Sequence, residues 1–413
     1  MPGAQEKLAK GNWFYIFGAT TFLKIQDLNV GRMKSQMAMT HRDRVMAALN
    51  HKEADRVPID LGGYPGATSV NIDAYGKLKE HLNLARDKEI RIGNLIMFTA
   101  EIDEEILHKF DIDTINATPS IPLSSFNGPE TFYDKFWKIT WRKTDAATYS
   151  PMDGPFFKEN GTLAALKAFE WPKPAEMEDP KKWKEKVQSL RPKTDRALVA
   201  RLPLGIVTLT QILRGFEDWF MDLHLNPEFM EALLDKCTEI WIESARIVVE
   251  AIGNDVDVFA FGDDYGFQTG PMISPAMFRK YVTPRNKKMV ESVKAKSKAK
   301  ILLHSCGCVF PYLEDFLEMG IDALNPIQVS AKDMDPARIK DRIGDRVTLW
   351  GAIGINDLVK GTPQQVKEMV KRRIEQLAQE GGFVLAATHN LLSDVPPANI
   401  VAMLEAAAEY GRY

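Results

Sequence analysis

The sequence predicts an α/β protein built as a (β/α)8 TIM barrel, in which a ring of eight parallel strands is surrounded by helices. Short apolar runs rich in β-branched residues recur along the chain, and helical spacing of apolar residues follows most of them. Most runs are apolar on both faces, which is typical of strands buried in a parallel sheet. A doubly wound sheet is the alternative, but no phosphate-binding glycine turn follows the first run.

Eight runs are predicted to form the strands of the barrel. In chain order they are Val57–Leu61, Phe110–Ala117, Leu204–Leu209, Val256–Phe261, Ala299–Leu303, Ile321–Leu324, Arg346–Trp350 and Gly382–Ala386. Helices are predicted from apolar spacing and from start signals in which a proline opens the pattern. They cover Pro227–Ala251, Ser274–Lys294, Phe310–Met319, Thr362–Gln379 and Pro397–Tyr410. Thr40 is predicted to cap an earlier helix over Arg42–Leu49.

The barrel is predicted to occupy residues 39–413, after an N-terminal extension over residues 1–38. The stretch 118–200 is too long for an ordinary barrel connection, which predicts an insertion after strand 2. Within it, Thr131–Trp141 alternates aromatic and polar residues as a β-hairpin does. The insertion either covers one mouth of the barrel or is a surface segment without a functional role.

Composition excludes several classes of protein. The chain has 413 residues, of which 26 % are charged, and a formal net charge of −3, so it lacks the basic footprint of a nucleic-acid binder. It contains no apolar stretch of the roughly 18 residues that a membrane helix needs, so no membrane partner is expected. Three cysteines cannot form a disulfide framework, which indicates a reducing compartment and predicts a cytoplasmic protein.

The sharpest local feature is the segment His304-Ser305-Cys306-Gly307-Cys308, directly after an apolar run. An imidazole and a thiolate two residues apart can bind one cation, and zinc prefers nitrogen and sulfur ligands. A third ligand is needed, and the candidates are His389, which follows the last strand, and Cys308. The alternative is a buried cysteine pair beside a hydrogen-bonded histidine.

Other polar residues follow the predicted strands, where the active sites of barrel enzymes lie. The pair Asp263 and Asp264 is predicted to act as acid and base or to orient a substrate, although an Asp-Asp-x-Gly segment also makes a good turn. The remaining polar residues at strand ends are predicted to contact the substrate, and they are Asp60, Asn325, Gln328 and Asn390.

Several motifs, occurring in order from about residue 39 to the end of the chain, resemble those of the uroporphyrinogen decarboxylase superfamily. They are Met39–Val45, Arg56–Pro58, Gly262–Asp264, Gly270–Pro275, His304–Gly307, Leu324–Gln328, His389–Asn390 and Asp394–Pro397. The resemblance implies a (β/α)8 barrel, in agreement with the alternation of strands and helices.

The superfamily has two branches that differ in chemistry. The decarboxylases hold substrate carboxylates with a segment of the form RQAGR after the first strand, whereas Leu61–Gly66 contains no arginine. His304 and Cys306 instead match the zinc-binding pair of the cobalamin-dependent methyltransferases. The later cysteine of that branch would fall near Thr388-His389, where this sequence has no cysteine. Either His389 replaces it, giving a His/Cys/His site, or the metal site has been lost.

The resemblance implies a zinc-dependent methyltransferase of anaerobic one-carbon metabolism. It would move a methyl group between the cobalt of a corrinoid and a small methylated substrate, such as a methoxylated aromatic compound undergoing O-demethylation, or a thiol or folate acceptor. The cobalamin would be carried by a separate corrinoid protein, because the chain contains no DxHxxG-like motif. The alternatives are a lyase acting on another carboxylate and a non-catalytic barrel that binds a tetrapyrrole or corrinoid.

Overall fold

The structure is a computed structural model that describes residues 39–84, 88–145 and 147–413, so the predicted N-terminal extension lies outside the described residues. The strands are β1 Arg91–Asn94, β2 Thr99–Ala100, β3 Thr114–Asn116, β4 Ile121–Pro122, β5 Thr131–Asp134, β6 Ile139–Lys143, β7 Tyr149–Pro151, β8 Ala197–Arg201, β9 Val258–Gly262, β10 Lys300–His304, β11 Ala323–Asn325, β12 Thr348–Ile353 and β13 Phe383–Ala387.

The helices surround these strands and alternate with them along the chain. They are α1 His41–Ala48, α2 Ile72–His81, α3 Glu104–Lys109, α4 Leu163–Ala168, α5 Pro174–Met177, α6 Pro180–Leu190, α7 Ile206–Arg214, α8 Phe216–Leu225, α9 Pro227–Ile252, α10 Pro275–Tyr281, α11 Thr283–Lys294, α12 Leu313–Met319, α13 Pro336–Ile343, α14 Ile355–Lys360, α15 Pro363–Leu377 and α16 Pro397–Tyr410. Within the described part of the chain, no helix is both long and apolar enough to cross a membrane.

Seven parallel strands form the main sheet, in the order β13-β12-β11-β10-β9-β8-β3. The first predicted strand lies between the two edges of this sheet, because Asp60 N–H donates to the Leu385 carbonyl at 2.9 Å and Asp113 N–H donates to the Ile59 carbonyl at 2.9 Å. Residues 57–61 therefore occupy the eighth position of the ring, and the predicted TIM-barrel fold is confirmed.

Side chains along the barrel strands alternate between two apolar layers. The smaller layer fills the barrel with mostly small side chains and one tryptophan, among them Val199, Ala260, Leu302 and Trp350. The larger layer packs the outward-facing side chains of the same strands against the helices. Helix α1 closes the amino-terminal end of the barrel, and Thr40 caps it as predicted by accepting a hydrogen bond from Asp43 N–H at 3.1 Å. The carboxyl ends of the strands are thereby left as the accessible mouth.

The third strand was predicted wrongly. The run Leu204–Leu209 does not form a strand, since residues from Ile206 onward form α7, and the strand is Ala197–Arg201, within the stretch assigned to the insertion. A short apolar run does not distinguish a strand from a buried helix. In this case the Asp263 carboxylate accepts hydrogen bonds from Val207 and Thr208 N–H at 3.1 and 2.7 Å, which stabilises the first turn of α7.

The predicted hairpin in the insertion is present. Strands β5, β6 and β7 form an antiparallel sheet, in which Phe132 pairs with Trp141. Phe132 also packs edge-on against Tyr149 of β7, with ring centroids 5.0 Å apart. These aromatic contacts hold the hairpin together, and side chains from it reach a cavity at the mouth of the barrel.

Candidate functional site

A cavity of about 640 Å³ lies at the carboxyl ends of the strands. Its floor includes residues from the ends of β9, β10 and β13, and its walls include the hairpin, α5 and α9. The aromatic side chains that line it are Tyr64, Phe136, Trp137, Trp141, Tyr149 and Trp241. A largely apolar cavity with several aromatic side chains and a few polar groups at its floor is the usual form of a small-molecule site.

Three potential metal ligands converge at the floor of this cavity. One ligand atom from each of His304, Cys306 and His389 lies within 4.8 Å of the other two. His304 Nε2 and Cys306 Sγ are 3.4 Å apart. Two ligands of a tetrahedral zinc ion, one nitrogen and one sulfur, would be separated by about 3.6 Å. The donor set and its spacing therefore fit zinc.

His304 is held by a side chain from the neighbouring strand. The register of β10 and β11 places His304 beside Asn325, and the two side chains share a hydrogen bond of 2.6 Å between His304 Nδ1 and Asn325 Oδ1. Asn325 Nδ2 donates to the Trp350 carbonyl, which directs its Oδ1 toward the imidazole. His304 Nδ1 therefore carries the proton and donates, and Nε2 is left free as a ligand.

The loop that carries Cys306 is fixed through its backbone. Cys306 N–H donates to Asp264 Oδ1 at 2.8 Å, and Gly307 N–H donates to Gln328 Oε1 at 2.6 Å. Gly307 has a φ of +85°, which a side chain would strain, and the glycine allows the tight turn there. Gln328, predicted to contact the substrate, thus has its side-chain oxygen engaged with the metal-binding loop.

The ionisation states of the other two ligands follow from burial. Burial lowers the pKa of His389 to about 4, and repulsion from His304 acts in the same direction. His389 is therefore neutral at neutral pH, as a metal ligand must be. Burial also raises the pKa of the Cys306 thiol, and the negative charge of Asp264 raises it further. The thiol therefore holds its proton unless a cation is bound nearby.

Cys308, the competing third ligand, is not in this cluster of ligand atoms. Its side chain is buried in the apolar layer between strands and helices. Its backbone N–H donates to the Phe267 carbonyl at 2.8 Å. Cys237 is also buried in that layer, in agreement with a packing role.

The two adjacent acids occupy different environments. Asp263 is almost completely buried and accepts hydrogen bonds from Val207 N–H, Thr208 N–H, Thr208 Oγ1 and the Tyr265 hydroxyl. Burial raises its pKa to about 7, against the effect of these donors. Asp264 is 43 % exposed, and its Oδ1 lies 3.9 Å from His304 Nε2. Both residues line the cavity, but only Asp264 has a carboxylate that is not surrounded by protein donors.

Asp60 and Asn390, two of the residues predicted to contact the substrate, have side chains that are hydrogen-bonded to other groups of the protein. The Asp60 carboxylate accepts hydrogen bonds from Thr114 Oγ1 at 2.5 Å and from Trp350 Nε1 at 2.8 Å inside the barrel. Asn390 accepts from Ser69 N–H at 2.8 Å and donates to the Gly66 carbonyl at 2.9 Å. Through these two hydrogen bonds, Asn390 connects the chain after β13 to the loop that follows residues 57–61.

Two cavity residues were not predicted from the sequence. Tyr64 packs edge-on against His304, with ring centroids 6.5 Å apart, and it lies in the glycine-rich segment Leu61–Gly66. Arg201, at the end of β8, lines the cavity and pairs with buried Glu178 at 3.2 Å. A correct assignment of the third strand would have placed Arg201 among the strand-end residues.

The fold and the floor of the cavity define a class of protein, namely a (β/α)8 barrel with a cluster of potential nitrogen and sulfur metal ligands at its mouth. A solved structure of similar fold is a methyltransferase from Methanosarcina mazei, with a TM-score of 0.62 and 21 % sequence identity. The similarity covers 90 % of this chain and 99 % of that chain. At this identity the similarity shows the fold.

The family model described as uroporphyrinogen decarboxylase (URO-D) matches residues 147–410, and the chain belongs to this family. Methylcobamide:CoM methyltransferase MtbA of Methanosarcina acetivorans is 27 % identical over 207 residues, which is 50 % of this chain and 57 % of the relative. Uroporphyrinogen decarboxylase of Chlorobium phaeobacteroides is 24 % identical over 191 residues, which is 45 % of this chain and 51 % of that relative. The chain thus spans little more than half the length of these curated relatives.

Proposed function

We propose that this protein is a zinc-dependent methyltransferase that moves a methyl group between a small substrate and the cobalt of a corrinoid carried by a partner protein. The observation that carries the proposal is the convergence of ligand atoms from His304, Cys306 and His389 at the floor of the cavity. Similarity to a methylcobamide:CoM methyltransferase supports it. The lack of arginine in residues 61–66 argues against the decarboxylase alternative.

His304 Nε2, Cys306 Sγ and one ring nitrogen of His389 would hold the zinc ion. When bound there, zinc supplies Lewis acidity, which lowers the pKa of a thiol or polarises an ether oxygen. Asn325 keeps His304 in the tautomer that leaves Nε2 free. Asp264 fixes the Cys306 backbone and presents its carboxylate to the cavity, where it orients the substrate.

The walls of the cavity favour an aromatic substrate over a small aliphatic one. Trp137, Trp141 and Trp241 supply apolar faces suited to stacking on a ring. A methoxylated aromatic compound is therefore the methyl donor that the cavity supports best, and the segment that carries Trp137 and Trp141 forms one of its walls.

Metal analysis of the purified protein tests the proposal. We expect one zinc per chain in the wild type and loss of zinc in the His304→Ala/Cys306→Ala double variant. His389→Ala should cost zinc and methyl transfer together. Cys308→Ala is the matched control, because it removes a nearby thiol outside the cluster and should leave the zinc content unchanged.

The activity assay follows the absorbance of the corrinoid. Wild-type protein should catalyse methyl transfer from 2-methoxyphenol to free cob(I)alamin, or from methylcobalamin to a thiol, and the double variant should not. Zinc retained by His389→Ala but lost by Cys308→Ala would make Cys308 the third ligand. Release of carbon dioxide from a porphyrinogen, with no methyl transfer, would replace the proposal by the decarboxylase alternative.

A further inference from the structure

Tyr64 presents an uncommitted hydroxyl to the cavity beside the candidate metal ligands. Its ring lines the cavity and packs against His304, and its side chain is only 9 % exposed. Its backbone N–H and carbonyl bond to Thr68, but within residues 39–84, 88–145 and 147–413 the hydroxyl has no hydrogen-bond partner. Because Tyr64 lines the cavity, a ligand there can supply the partner that tyrosine hydroxyls in enclosed sites usually have.

The phenol is held rigidly in this position. Thr68 N–H donates to the Tyr64 carbonyl at 2.8 Å, and Gly62 N–H donates to the Thr68 carbonyl at 2.7 Å. Gly62 has a φ of +85°, a conformation that favours glycine, and it allows the turn that precedes Tyr64. Asn390 bonds to both ends of the adjoining segment 66–69. The loop is thereby fixed relative to the strand that leads to His389.

Gly262 at the end of β9 lies beside both the phenol and the imidazole. A Cβ atom added to Gly262 would lie 3.2 Å from the Tyr64 hydroxyl oxygen, closer than ordinary van der Waals contact, and 3.7 Å from His304 Cδ2. The hydroxyl and the imidazole therefore reach the same small region of the cavity floor. A substrate atom close to that region could meet the phenol and still approach the metal-binding cluster.

Two neighbouring polar side chains are already engaged. The Asp263 carboxylate accepts from four donors, and Thr208 Oγ1 donates to it at 3.0 Å. The Tyr149 hydroxyl, on the opposite wall, donates to the Pro129 carbonyl at 2.8 Å. Ser244 Oγ and Trp141 Nε1 also line the cavity without a hydrogen-bond partner among the residues that the structure describes. Of these groups, Tyr64 is the one whose ring packs against the candidate ligand His304.

We propose that the Tyr64 hydroxyl donates a hydrogen bond to the oxygen or sulfur atom that bears the methyl group of the substrate. Tyr64 is then a specificity-determining residue, which selects ligands with an acceptor at that atom over apolar ligands of the same shape. This inference rests on the proposed function for the identity of the ligand, and on the geometry of Tyr64, His304 and Gly262 for the position of the donor.

The test compares two probes that differ in this acceptor, anisole and ethylbenzene, by calorimetric titration of the zinc-loaded protein. We expect wild type to bind anisole about 5- to 10-fold more tightly than ethylbenzene, the value of one hydrogen bond in a buried site. Tyr64→Phe should lower that ratio about 5-fold, through loss of the hydrogen bond, without changing the zinc content. Tyr149→Phe is the matched control and should keep the wild-type ratio, because its hydroxyl bonds to the protein.

An equal ratio in wild type and Tyr64→Phe, or a failure of wild type to bind either probe, would overturn the inference. The proposed function is judged separately, by zinc content and by methyl transfer in the wild type. A wild type that prefers anisole through Tyr64 but transfers no methyl group would refute the function and leave the hydrogen bond established. A wild type that transfers methyl groups but shows no Tyr64-dependent preference would refute the hydrogen bond and leave the proposed function standing.

Discussion

Replacement of Asn325 by leucine should weaken metal binding without removing a metal ligand. Asn325 is fully buried and accepts from His304 Nδ1 over 2.6 Å. Leucine has a similar size but accepts no hydrogen bond, so the imidazole would lose its orientation and its N–H would lack a partner. Loss of such a supporting bond typically lowers metal affinity 10- to 100-fold, which corresponds to about 1.4–2.7 kcal/mol.

The measurement is the zinc dissociation constant, obtained by competition with a chromophoric chelator at constant pH. Asn325→Asp is the matched control, because a carboxylate still accepts from His304 Nδ1, and its zinc affinity should stay closer to wild type. Urea unfolding of the metal-free proteins separates loss of stability from loss of affinity. An unchanged zinc affinity in Asn325→Leu, together with a raised KM, would refute this reasoning and restore Asn325 as the substrate contact predicted from sequence.

Three further predictions concern the body of the protein. Gly205→Ala should destabilise the fold by about 1–3 kcal/mol in urea unfolding, because its Cβ would lie 2.1 Å from Asp263 Cβ; unchanged stability would contradict this close packing. The Arg44 guanidinium lowers the pKa of Asp55, so this pair should stabilise the protein above the unfolded pKa of about 4 and lose that effect as pH falls through the lower folded value. Asp55→Asn should therefore show a shallower loss of stability between about pH 5 and pH 3, and an identical pH profile would count against the pair. Cys237 is fully buried and burial raises its pKa, so iodoacetamide should modify it in urea but not in the native protein, as mass spectrometry can show.

The barrel was predictable because each parallel strand is buried on both faces and reads as a short apolar run. The same property caused the error at Leu204–Leu209, which is equally apolar as the start of a buried helix. The deciding interaction was the bond from the α7 backbone to Asp263, which lies more than 50 residues away in sequence. Local pattern carries no information about such a partner.

The convergence of three potential metal ligands was predictable in part, since His304 and Cys306 are close in sequence and His389 follows the last strand. The roles of the amides were not, because their residue type does not show what they bind. Asn325 and Gln328 have side-chain oxygens that bond to His304 and to the Gly307 backbone. These contacts depend on strand register, and whether either amide also reaches a substrate stays a prediction.

Four consecutive backbone N–H groups, from residue 305 to residue 308, donate to acceptors on other segments of the barrel mouth, at 2.6, 2.8, 2.6 and 2.8 Å. The loop therefore has its shape before any ion arrives, unlike the ligand loops of zinc fingers, which fold only around their metal. Binding would then cost little conformational entropy, and chelation should remove the ion without unfolding its loop. The ion would stabilise the folded protein only through its binding equilibrium. The protein should therefore stay folded through repeated cycles of metal removal and reloading.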